Sequence, residues 1–228
     1  MNPYGLHPDD VRPALNVTWN FFLAAIPIAM AFWIDRIVRL RATSPRPPSV
    51  ALIVFLVAVW CIFLPNTCYL LTEWRHYISA VQGIDLENLR LNTNRQETVL
   101  RTLIITCFYV CYSGSGLIAF FLAVWPIDRL LRDRIGSRAR MVRAGLFAGC
   151  AFGVYLGLVY RFNTWDLFRP HRLHAILRLT RHAITNPGVV ALAIGFTVIL
   201  WLIYEAFEVY MRGLACGPTT DEPAPNLK

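Results

Sequence analysis

Five stretches of this chain carry no charged residue: Pro13–Ile34, Pro47–Thr72, Thr102–Ile127, Ala144–Tyr160 and Ala183–Tyr204. They run 22, 26, 26, 17 and 22 residues and make up half of the 228-residue chain. At about 1.5 Å per residue, helices of these lengths cross a hydrocarbon core of about 30 Å, the fourth at the short limit. Only 16% of the residues are charged, where a soluble domain averages about 25%. This distribution excludes a soluble globular enzyme, a disulfide-stapled secreted domain and a disordered chain. It also excludes a membrane β-barrel, whose strands would be alternating segments of about 10 residues. The expected fold is all-α, a polytopic transmembrane bundle. About five helices span the membrane, near 15–34, 50–72, 102–125, 144–160 and 188–210, in one domain over 13–210. Residues 1–12 form a short leading segment and 211–228 a disordered tail, rich in proline from Gly217 onward.

The net charge of +8 is almost all arginine. The arginines sit between apolar spans and no nucleic-acid-binding motif accompanies them, so topology accounts for them and nucleic acid is not an expected partner. The first loop holds Arg36, Arg39, Arg41 and Arg46. The third holds Arg129, Arg132, Arg134, Arg138, Arg140 and Arg143. In the second loop four arginines are balanced by Glu73, Asp85, Glu87 and Glu97. Positive-inside logic puts loops one and three in the cytoplasm, the N-terminus outside and the C-terminus inside. The fourth loop dissents, with five arginines and one acid. The first span has its basic cluster after it rather than before it, the wrong way round for a removable signal, so a retained helix is expected.

From Pro170 onward, Leu173, Ile176, Leu177, Thr180 and Ile184 recur at helical spacing, opposite His171, Arg172, Arg178, Arg181 and His182. This pattern reads either as an interfacial amphipathic helix or as a connecting helix packed on the bundle. Six cysteines form no C-x-x-C pair, and Cys107 and Cys111 read as small packing residues. Gly145, Gly149, Gly153 and Gly157 fall every four residues. On a helix they make a groove for close packing, where a partner helix or a second copy of the chain could dock. Glu205 and Glu208 are expected to pair with Arg212 or with arginines of the third loop.

Alternation of spans forces the start of span one, the end of span two and the end of span four onto one membrane face. Span one brings Asn16, Trp19 and Asn20 there; span two brings Pro65, Asn66, Tyr69, Thr72, Glu73 and His76. Span four brings Tyr155, Tyr160, Arg161, Asn163, Trp165 and Asp166. Polar groups at this depth are costly and mark functional sites by default, although Trp and Tyr also form interfacial belts. If the helix runs past Pro65, then Asn66, Tyr69, Glu73 and His76 share a face. Pro65 should bend or break it, freeing carbonyls that Asn66 and its neighbours can satisfy. Arg161 calls for a carboxylate, with Glu73 or Asp166 as partner.

The runs FLPNTCYLLTEWRHY and GVYLGLVYRFNTWD resemble the motifs of a bacterial membrane family, domain of unknown function 1361. The likeness rests on Pro65, Asn66, Tyr69, Thr72, His76, Gly153, Tyr155, Gly157, Arg161, Asn163, Thr164, Trp165 and Asp166. Trp19, Asn20 and the Asn186-Pro187 pair fit as well, so the resemblance covers roughly residues 15–210. Glu73 stands where that family usually has Asp, and Thr67-Cys68 where it usually has Ala-Pro. The resemblance implies a bacterial multi-pass membrane protein and no particular activity.

Three functions are open at this point. One is a binding or transport-type module, with a lipid head group or small polar solute held at the outer face. Another is a membrane-embedded hydrolase or transferase acting on a lipid-linked substrate. Glu73 and His76 form Glu-x-x-His, and with Asp166 they are the candidate metal ligands. The third is a structural or accessory subunit. No G-x-S-x-G, H-E-x-x-H or phosphate-loop motif is present, and the sequence names neither catalytic residues nor cofactor.

Overall fold

The computed structural model describes residues 8–44, 47–91, 95–162 and 164–215. These are almost entirely helical, with no strand among them. In order, the helices are α1 (Pro8–Thr43), α2 (Val50–Phe63), α3 (Pro65–Tyr69), α4 (Trp74–Leu91), α5 (Arg95–Ile135), α6 (Ala139–Tyr160), α7 (Pro170–Thr185) and α8 (Pro187–Ala215). Short 3-10 turns over Leu70–Glu73, Gly136–Arg138 and Thr164–Phe168 complete the chain. Four to five of these elements are long and apolar enough to span a membrane.

α5 is the central strut. Its buried residues Tyr112, Ser113, Gly116, Ala119, Phe120, Ala123, Val124 and Ile127 follow steps of three and four, one continuous stripe. α1 presents Ala24, Pro27, Ala31 and Ile34 to that stripe and to α2. The small side chains let the backbones come close. Trp60 of α2 donates its indole N–H to the Ala123 carbonyl at 2.9 Å, giving a buried polar group its partner. α6 packs on α8 through Phe147, whose ring meets Trp201 and Tyr204 edge-on. Large apolar side chains such as Phe55, Ile104, Leu192 and Leu202 point outward. Only 17% of the most apolar window of α8 is buried by the protein itself. Lipid is the solvent such a surface requires.

The structure departs from the sequence reading in several places. The second loop is largely the helix α4, whose Tyr77, Val81 and Ile84 turn inward at helical spacing. The Tyr77 hydroxyl meets Thr106 Oγ1 at 3.0 Å on α5. The third loop is mostly helix too. α5 continues through Pro126 to Ile135, which a membrane helix tolerates when its neighbours re-satisfy the freed carbonyl. Gly136, at φ 54°, then makes the left-handed stop that lets α6 start three residues later. On α7, only Ile176 and Ala183 are buried, while Leu173, Leu177 and Ile184 remain exposed. Its apolar side is therefore mostly left to the bilayer surface, which favours the interfacial reading. Cys107 and Cys111, expected to pack, are exposed. α8 runs on to Ala215, and residues 216–228, read as tail, lie outside the described residues.

The glycine groove divides in two. A Cβ at Gly153 would stand 2.9 Å from the Pro65 ring, and one at Gly157 3.6 Å from the Tyr69 ring. Gly145 and Gly149 have nothing within 4 Å of that position. The half nearer Arg161 is therefore filled by the chain's own α3, and the other half is open.

Candidate functional site

The site begins with a break. Pro65 has no N–H, so α2 stops at Phe63 and a new helix starts at Pro65. Unpaired carbonyls at membrane depth cost several kcal/mol each, and side chains of the motif cover those near the break. Asn66 Nδ2 donates to the Phe63 carbonyl at 3.0 Å, Thr67 Oγ1 to that of Leu64 at 2.8 Å, and Thr72 Oγ1 to that of Tyr69 at 2.7 Å. The segment after Pro65 is wedged between α5 and α6. A Cβ at Gly116 would lie 2.7 Å from Leu70 Cβ and 3.2 Å from the Thr67 carbonyl. Only glycine at 116 and 153 allows this approach, and it aims Asn66 and Tyr69 into the space between α1, α5 and α6.

That space is a cavity of about 900 Å³. α1 contributes Asn16, Trp19 and Asn20; α3 contributes Asn66 and Tyr69; α4 contributes His76. Tyr109 and Tyr112 of α5 form another wall, with Gly153 and Gly157 of α6 and the segment Arg161, Phe162 and Thr164 beyond it. Asn20 Nδ2 donates to the Tyr112 hydroxyl at 3.0 Å, joining α1 to α5. Asn66 Nδ2 also donates to Thr164 Oγ1 at 3.1 Å, joining α3 to the chain after α6.

Arg161 ends α6 in the left-handed region, at φ 54° and ψ 34°. No other non-glycine residue among those described has a positive φ. Its N–H and that of Phe162 both turn back to the Leu156 carbonyl, the Phe162 contact at 3.5 Å. A left-handed L-residue costs roughly 1–2 kcal/mol, and glycine is the usual solution at such a stop. Retaining arginine there is a strain of the kind that clusters at functional sites. Arg161→Gly is expected to raise stability by about 0.5–1 kcal/mol, because the relieved strain exceeds the added chain entropy. Thermal unfolding in detergent checks this, and a fall in stability would assign the Arg161 side chain a structural contact.

Of the sequence candidates, the fold brings Asn20, Asn66, Tyr69, His76 and Arg161 to one cavity. Trp165 and Asp166 are not on its wall. Trp165 packs edge-on against Phe63 with ring centroids 5.9 Å apart, and Asp166 is buried 3.8 Å from Arg169. Asp166 therefore faces Arg169 rather than Arg161. Asn163 and the side chain of Glu73 lie outside the described residues. Of the metal candidates Glu73, His76 and Asp166, only His76 is placed on the wall, and no group of three or more His, Cys, Asp and Glu converges among the described residues. Tyr109 and Tyr112 were missed. The alternation that placed the other helix ends also places the start of span three on this face.

The opposite end of the bundle holds a second polar cluster. Along α6, at about 1.5 Å per residue, Arg143 and Arg161 stand roughly 27 Å apart, close to the thickness of a hydrocarbon core. Arg143 is 4% exposed. It bonds Asp128 of α5 at 3.2 Å and Glu205 of α8 at 2.6 Å, and stacks its guanidinium 4.4 Å from the Trp201 ring centre. Asp128, 2% exposed, also accepts from the Tyr204 hydroxyl at 2.9 Å and pairs with Arg132 at 3.1 Å. Glu208 pairs with Arg132 and with Arg212. The expected partners of Glu205 and Glu208 are thus the observed ones, and three helices are tied together by alternating charges.

The family described as "Protein of unknown function (DUF1361)" matches residues 19–203, most of the chain, and the protein belongs to it. No curated protein and no solved structure matches the chain.

Proposed function

We propose that this member of the family is a binding or transport-type membrane protein whose cavity takes a lipid head group or a small polar solute. The observation that carries the reading is the convergence of Asn20, Asn66, Tyr69, His76 and Arg161, from four elements, around about 900 Å³. Ligand sites combine such a volume with a few polar groups on an apolar wall. The described arginines of the first and third loops belong to the helix ends away from the cavity. Positive-inside topology then puts the cavity at the outer face of a bacterial inner membrane, with the N-terminus outside and the C-terminus in the cytoplasm.

The test is mass spectrometry of what the detergent-purified protein retains. Wild type is expected to carry a polar lipid or solute near one to one. Asn20→Leu, which removes a polar wall group and its link to Tyr112, is expected to lose most of it while still melting cooperatively. Equal retention by both proteins would sink the reading. The elemental content of the same samples addresses the enzymatic alternative. Near-stoichiometric metal that vanishes in His76→Ala would replace binding with metal-assisted hydrolysis or transfer on a lipid-linked substrate. The accessory-subunit reading draws on the open positions Gly145 and Gly149. A homo-oligomer or partner helix seated there would be released by Gly149→Leu, read by cross-linking in membranes.

A further inference from the structure

We propose that the ligand of this cavity is an anionic amphiphile, with a phosphate or similar oxyanion head at Arg161 and an apolar chain running inward past Leu23, Ile62 and Val154. The inference rests on the binding reading above and narrows it to a chemical class.

Charge selects the sign. The described wall carries Arg161 and His76 and no Asp or Glu. The nearest acid in sequence, Asp166, is occupied beside Arg169. The Arg161 side chain has no hydrogen bond or ion pair to any described residue, although an arginine at a bilayer boundary needs a counter-charge. Its planar fork suits a carboxylate or phosphate, which it can hold through two parallel bonds. The strained backbone gives the same indication from another side: a residue cheaper for the turn has not been used there.

Depth selects the tail. Gly153 and Arg161 both line the cavity from one stretch of chain, so it descends by about 12 Å at helical rise. Arg161 and His76 are at helix ends, and Asn16, Asn20, Asn66 and Tyr112 are the other polar groups of the wall. Leu23 and Ile62 are the innermost lining residues of their helices and Val154 adjoins Gly153 at the inner limit on α6, and all are apolar. A bare oxyanion would leave that floor and most of the volume unused.

The experiment titrates the detergent-purified protein, in neutral maltoside, with dodecyl phosphate and follows one-to-one occupancy by native mass spectrometry. Inorganic phosphate and dodecyltrimethylammonium serve as comparison probes. Dodecyl phosphate is expected to bind saturably and at least tenfold more tightly than either. Arg161→Gly, which relieves the backbone, is expected to weaken it tenfold or more, and Arg161→Lys less. Equal affinity for inorganic phosphate would overturn the amphiphile and leave a free-anion site. Equal binding of the cationic surfactant, or an Arg161→Gly protein that binds dodecyl phosphate normally, would overturn the anionic class. In either case the retention lost in Asn20→Leu still stands as evidence for a polar site. No binding of dodecyl phosphate together with unchanged retention in Asn20→Leu would bring down both readings.

Discussion

Arg143→Ala is expected to destabilise the protein by about 3–5 kcal/mol, the usual cost of removing one partner from a buried ion pair. The cause is the carboxylates left behind more than the lost attraction. Asp128 is 2% exposed, and its Oδ1 already has no hydrogen-bond partner among the described residues. Without Arg143 it keeps only Arg132 and the Tyr204 hydroxyl. The substitution also removes the guanidinium packed on Trp201 and Tyr204. Glu205→Gln makes the contrast. The Glu205 side chain is 42% exposed, so water takes over when the charge goes, and the expected loss is below about 1 kcal/mol. Denaturant unfolding in a fixed detergent reads both. Comparable losses from the two substitutions would mean that the cluster is hydrated and does not act as a buried clamp.

Gly116→Ala is expected to cost about 1–3 kcal/mol, the range for overfilling a packed core. Its added carbon would meet Leu70 Cβ at 2.7 Å, the root of a side chain rather than a movable end. Gly153→Ala should behave alike, because the Pro65 ring at 2.9 Å is rigid. Gly149→Ala, at an open position of the same groove, should stabilise by up to about 1 kcal/mol through helix propensity alone. Unfolding of the three variants decides the point. The two close-approach variants should also lose cavity binding, since displaced α3 carries Asn66 and Tyr69 away from the wall. Destabilisation at Gly149 equal to that at Gly153 would show that another helix occupies the open half.

These residues show which inferences a linear pattern supports. The meeting of Asn20, Asn66, His76 and Arg161 was legible because a membrane lets a helix end on only two faces. The break at Pro65 and its repair by Asn66 followed from a missing N–H, a local property. Tyr109 and Tyr112 obey the same alternation, but in an otherwise apolar span a tyrosine does not differ from an interfacial belt residue. α4 reads as a loop in the sequence because its mixed charges hide the inward spacing of Tyr77, Val81 and Ile84. Arg143 reads only as one of the third-loop arginines, since nothing local distinguishes a buried charge from an exposed one.

Lipid solvation, the presence of several long apolar helices, the family and the sharing of one face by three helix ends were legible in the sequence alone. The family is carried by the two polar motifs, and the rest follows from the one-dimensional requirement that a spanning segment be apolar and hydrogen-bonded to itself. Which half of the glycine groove the protein fills, which arginine is buried and which is left facing a cavity were decided only in the tertiary structure. Those outcomes depend on distances between segments far apart in the chain, such as Pro65 against Gly153 or Asp128 against Tyr204. Periodicity records which face of a helix is apolar, but not which neighbour that face meets, or how closely.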